Sequence, residues 1–146
     1  MFDKIYSDIV SAMKSKDTLR LSTLRMLKGS IDLERINKRV DKLSDDDIIV
    51  IIGKQIKTRK ESIVEFEKGN REDLIEKTKK EIEILSEYMP EELSNEELNK
   101  IIDEVITTLG ASTVKDMGNV MKEVSSKVKG RADMSLVSSI IKNKLN

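Results

Sequence analysis

The chain has 146 residues, 38% of them hydrophobic and 37% charged, with 27 basic residues balanced by 27 acidic ones. Zero net charge excludes a uniformly basic nucleic-acid coat, because counterion release needs a positive surface, and leaves only local patches. The chain has no Cys and no His, which excludes a disulfide framework, a thiolate nucleophile and a Ser-His-Asp triad, and removes the commonest metal ligand.

Two Phe, two Tyr and no Trp mean that the core must be aliphatic. Seven helices are predicted, so the fold class is all-α. The first spans about Asp3 to Ser15, with Phe2, Ile5, Ile9 and Met13 on one face. Asp17 is placed to cap the second helix, whose stripe is Leu21, Leu24, Leu27 and Ile31 and which fades near Asn37. Lys38 to Lys42 reads as a loop. Ser44 then caps a third helix, and Asp45, Asp46 and Asp47 meet the positive end of its dipole. The β-branched run Ile48 to Ile52 invites a strand assignment, but helical spacing continues through Ile56, Ile63 and Phe66.

Gly69 fits a left-handed helix end, and Asn70 is placed to cap a fourth helix carrying Ile75, Thr78, Ile82, Leu85 and Met89. The short Gly69-Asn70 connection predicts an antiparallel hairpin. Pro90 stops that helix. Beyond it, Ser94 to Glu97 forms a capping box before a fifth helix with Leu98, Ile101, Ile102, Val105 and Leu109 inward, closed by Gly110. Thr113 to Asp116 forms a second box. The sixth helix then turns Val114, Met117, Met121, Val124 and Val128 inward, and Asp133 caps a seventh with Leu136, Val137, Ile140, Ile141 and Leu145. The expected organisation is an N-terminal helical hairpin or bundle over residues 1–90 and a compact three-helix domain over 94–146. The start, Met1 to Tyr6, is amphipathic, and Ile48 to Ile52 is the longest apolar run, too short to span a bilayer. The cytoplasm is therefore the expected compartment, with no membrane partner.

Candidate chemistry is sparse. Glu61 and Glu65, like Glu72 and Glu76, share a helix face, but interleaved lysines read them as solvated surface. Asp45 to Asp47 lacks the spacing of a calcium loop. No catalytic residue, metal site or cofactor is expected. The methionines, Met26, Met117 and Met121 among them, read as core. From Ala111 to Asn146 there are seven basic and three acidic residues, a net charge of +4. Lys122, Lys127, Lys129, Gly130 and Arg131 are the candidate nucleic-acid-binding residues. A glycine turn flanked by positive charge lets backbone approach a phosphate, and the following helix start adds amide donors. A helix-ending turn with solvated lysines explains the same residues equally well. Two further basic groups, Lys54, Lys57, Arg59 and Lys60, then Arg20, Arg25 and Lys28, read as solvated faces.

Four strings, LRLSTLRMLKGSI (Leu19 to Ile31), KTRKESIVEFEKGNREDL (Lys57 to Leu74), EIEILSEYMPEELSNEEL (Glu81 to Leu98) and GASTVKDMGNVMKEVSSKVKGRADMSLV (Gly110 to Val137), occur in this order. Together they make the chain resemble the YqeY family, small bacterial proteins of the GatB/YqeY class. Met89 stands where Leu is usual, and Met134 where Gly is common. The stretch Gly118, Val120, Met121, Lys122 with Lys129, Gly130, Arg131 and Ala132 is similar to the C-terminal helical part of the B subunit of the aspartyl/glutamyl-tRNA amidotransferase. The resemblance implies a two-part helical fold and a tRNA-facing tail without catalysis. The family label of carbon–nitrogen ligase with glutamine as amide donor belongs to the larger enzyme, whose kinase-like and amidase parts this chain lacks. The alternative is a helical adaptor that meets a protein partner through the hairpin.

Overall fold

The computed structural model describes residues 1–146, which form seven α-helices and no strand. Two compact units are present, Met1–Met89 and Pro90–Asn146.

The first unit holds α1 (Phe2–Ser15), α2 (Thr18–Lys38), α3 (Asp45–Lys68) and α4 (Glu72–Ser86). Two of its helix starts, those of α2 and α3, are capped by local side chains. The Asp17 carboxylate accepts from the Arg20 amide, and Ser44 Oγ accepts from the Asp47 amide, so donors without an intrahelical partner are satisfied. The core joins Ile5 and Ile9 of α1, Leu24, Leu27 and Ile31 of α2, Leu43, Ile48 and Ile52, and Ile84, Leu85 and Tyr88 at the end of α4. Each fully buried Leu or Ile contributes about 1.5–3 kcal/mol against exposure.

Several expectations change. At the α3–α4 turn the left-handed residue is Asn70 (φ 53°), while Gly69 has φ −93°. Asn70 therefore does not cap α4, which begins after Arg71 without a side-chain cap. Asn tolerates the left-handed region through local polar contacts, so it competes with Gly for that position. In α1 the small Ala12 is buried in place of Met13. Met26 is exposed on α2, away from the core.

Arg59 is buried. Its Nε donates to Glu81 of α4 at 2.8 Å, and its terminal nitrogens donate to the Gln55 carbonyl and to Met26 Sδ, each at 3.3 Å. Gln55 Nε2 also donates to Ser30 Oγ at 2.8 Å, so one polar network ties α2, α3 and α4 together. A second network secures the end of α4. Tyr88 donates to Asp8, and Arg20 grips Glu87 through two nitrogens at 2.7 and 3.2 Å. The Tyr88 hydrogen bond, assisted by Lys4, holds the Asp8 carboxyl below its ordinary value. Burial, then the Asp8 carboxylate, pushes the Tyr88 phenol upward.

The second unit holds α5 (Asn95–Leu109), a single 3-10 turn (Val114–Asp116), α6 (Met117–Val128) and α7 (Met134–Leu145). Ser94 Oγ accepts from the Glu97 amide, and Gly110 closes α5 at φ 65°. The Asp116 carboxylate accepts from the Ser112 and Thr113 amides, which lowers its pKa. Leu98, Ile102, Val105, Val120, Val124, Val128, Val137, Ile141 and Leu145 form the core. Leu109, Val114 and Leu136, expected inward, are exposed, whereas Val120 is fully buried. No helix of either unit is long and apolar enough to cross a membrane.

Candidate nucleic-acid interface

The basic turn sits where α6 must reverse into α7. Val128 is the last residue of α6 and anchors its end in the core. Lys129 follows with φ 26° and Gly130 with φ 78°. Two consecutive positive-φ residues make a tight reversal, and at Gly130 only a residue without Cβ adopts the angle without strain. The Arg131 amide closes the turn on the Val128 carbonyl at 2.7 Å.

Of the five candidate residues, four gather here. Lys127 lies exposed in the last turn of α6, and Lys129 is exposed at the reversal. Lys122 does not join them. Five residues separate it from Lys127, about 140° around a helix, so the two project from different faces.

Arg131 is partly buried and has a structural task. Its Nε donates to the Glu91 carbonyl at 3.0 Å, while its own carbonyl accepts from the Leu93 amide at 2.8 Å. It thus holds the segment that leads into α5. Sequence reading did not find this contact, since 40 residues separate Arg131 from Glu91. The start of α7 also differs from the expected anion site. The Asp133 carboxylate already accepts from the Ser135 amide at 2.9 Å and places negative charge at that end. The arrangement therefore places two exposed lysine residues beside the turn, where added positive charge suits contact with phosphate oxygens.

Several of the remaining basic residues are held by partners, and one exposed group lies on α3. Lys144 pairs with Asp103 of α5 at 2.7 Å. In the first unit, Lys28 pairs with Asp32 at 2.7 Å, Arg20 with Glu87, and Arg25 reaches Met13 Sδ at 3.4 Å. Lys54, Lys57 and Lys60 are exposed on α3, but Arg59, grouped with them from sequence, turns inward to Glu81.

A family model described as Yqey-like protein matches residues 2–145. A relative from Pyrenophora tritici-repentis, named altered inheritance of mitochondria protein 41, mitochondrial, is 31% identical over 94% of this chain and 77% of its own length. A protein of the same name from Kluyveromyces lactis is 36% identical over 72% of this chain, which spans 58% of that relative. An uncharacterized protein from Schizosaccharomyces pombe is 35% identical over 62% of this chain and 73% of its own length. The expected cytoplasmic location is corrected by the names of the first two, which are mitochondrial proteins. These relatives are fungal, whereas the resemblance pointed to bacterial proteins.

Proposed function

The chain belongs to the YqeY-like family, and from that membership we propose that it is a non-catalytic helical module that holds tRNA, as the tail of the larger amidotransferase does, in support of tRNA-dependent amide transfer. Lys127 and Lys129 contact backbone phosphates, and the helices serve as scaffold. The observation that carries this reading is the pair of exposed lysines at the α6–α7 reversal, with Gly130 at φ 78° fixing the turn beside them. With four aromatic residues in the whole chain, base stacking has little to work with, so binding is dominated by charge and weakens steeply with salt.

The test is a binding titration of the whole chain with tRNA across a salt series. Lys127→Glu with Lys129→Glu is expected to lower the log–log salt slope by about 2, roughly 1 per phosphate contact. Arg131→Ala is expected to loosen the second unit with a smaller change in that slope. Absent or salt-insensitive binding refutes the proposal, as does an unchanged slope in the double lysine variant.

A further inference from the structure

The buried guanidinium of Arg59 reaches the surface of the first unit through a methionine. It donates to oxygen at Glu81 and at the Gln55 carbonyl, but on Nη2 its partner is the Met26 sulfur at 3.3 Å. A thioether is a weak acceptor, and a guanidinium has more N–H groups than these contacts use. Arg59 is only 9% exposed, whereas Met26 is 60% exposed. Reagents in solution therefore reach the side chain whose sulfur touches the buried cation.

We propose that Met26 is a modification site for peroxides, and that the oxygen placed on its sulfur tightens the network joining α2, α3 and α4. The step is a two-electron oxygen transfer. A sulfur lone pair attacks the terminal oxygen of a hydroperoxide, and an S–O bond forms as the O–O bond breaks. The departing oxygen takes the proton of the transferred one, leaving water from hydrogen peroxide or an alcohol from an organic hydroperoxide. Sulfur is oxidised to the sulfoxide and the peroxide is reduced, with no further reactant.

In a closed core the polar product disrupts packing. Met26 lies outside the core, which α2 meets through Leu24, Leu27 and Ile31. The flexible methionine torsions let the new oxygen turn to Arg59 Nη2 whichever face of the sulfur is attacked. A weak acceptor is thereby replaced by a strongly polarised oxygen on a charged donor, the stronger class of hydrogen bond. Met13 is an internal comparison. It is 46% exposed and receives Arg25 at 3.4 Å, but Arg25 is itself exposed, so an oxygen added there competes with water for its donor.

Hydrogen peroxide treatment of the whole chain, with peptide mapping by mass spectrometry, tests the site. Met26 should oxidise among the first methionines, with the exposed Met13 and Met134, and about tenfold faster than the partly buried Met89, Met117 and Met121. Stability tests the consequence. In a chain carrying Met13→Leu and Met134→Leu, urea unfolding of the first unit is followed by the fluorescence of Tyr6 and Tyr88. Oxidation should favour the folded state about tenfold and raise the urea midpoint. Adding Met26→Leu should abolish that rise. Without any peroxide, Met26→Gln, whose amide oxygen stands in for the sulfoxide, should have a higher midpoint than Met26→Leu. In an Arg59→Met, Glu81→Met background the two should not differ. A Met26 that resists peroxide overturns the proposal. So does a midpoint that falls or stays unchanged on oxidation, or one that rises equally with Leu at position 26.

Discussion

Glu81→Ala puts the Arg59 network under the most direct test. The substitution removes the carboxylate from a guanidinium whose side chain is 11% exposed, leaving it the Gln55 carbonyl and Met26 Sδ at 3.3 Å. Breaking a buried ion pair from one side costs about 3–5 kcal/mol, because the surviving charge is left without compensation. Glu81 is itself 19% exposed and the Gln55 carbonyl stays in place, which brings the expectation to about 2–3 kcal/mol. Over an 89-residue unit that corresponds to a fall in melting temperature of roughly 10–20 °C. The chain supplies a reporter for this unit alone: Tyr6 and Tyr88 are its only tyrosines, both lie in Met1–Met89, and there is no Trp. Urea unfolding followed by tyrosine fluorescence therefore reads the first unit without the second. Arg59→Met combined with Glu81→Met should cost less than the two single changes together, with a coupling of about 2 kcal/mol, since no lone charge is left behind. If Glu81→Ala lies within about 0.5 kcal/mol of wild type, or the double variant matches the sum, the pair does not lock α3 to α4.

Tyr88→Phe should remove the largest of the contacts that lower the Asp8 pKa, leaving Lys4 in place, and the lost hydrogen bond to a carboxylate should cost about 1–2 kcal/mol at pH 6. In the wild type that contribution is present above the ordinary aspartate value and is lost as pH falls through the lower folded one. Melting curves of the two proteins should therefore converge on acidification below pH 4, and a gap independent of pH would refute the assignment. Gly110→Ala and Gly130→Ala, at φ 65° and 78°, should each destabilise the second unit by about 1 kcal/mol or more, read by circular dichroism. Gly29→Ala, in open space within α2, should be neutral or stabilising.

Features decided within one turn of chain were legible in the sequence. Asp17, Ser44, Ser94 and Asp133 cap as expected, because an oxygen three residues or fewer from an unpaired amide has little choice of partner. The exchange of Gly69 for Asn70 at the left-handed position is a contest between two residues that both tolerate it, and their order alone does not decide it. Features set by distant partners were less legible. Arg59 falls seven residues after Ile52 on the core stripe of α3, and Glu81 lies between Thr78 and Leu85 on that of α4, so a signal existed. Its meaning depended on two helices meeting 22 residues apart. The same holds for Tyr88, whose burial is matched by Asp8, 80 residues earlier. On α2 the spacing of Leu24, Leu27 and Ile31 did identify the buried stripe, which packs against α1, α3 and α4.

The candidate site divides along the same line. From sequence, Lys129 and Arg131 look equivalent, two cations on either side of a glycine. In the folded chain they are not interchangeable. Arg131 spends its Nε and its carbonyl on Glu91 and Leu93, so replacing it perturbs the entry to α5 as well as the local charge. Lysine at that position would lack the planar group whose Nε reaches the Glu91 carbonyl. Lys127 and Lys129 have exposed side chains, and changing them alters surface charge with less disturbance of the core beneath. A loss of binding in an Arg131 variant would thus confuse a damaged scaffold with a lost contact. The paired lysine variant, judged by its salt slope, tells them apart, because a phosphate contact changes the slope whereas a loosened scaffold lowers affinity at every salt concentration alike.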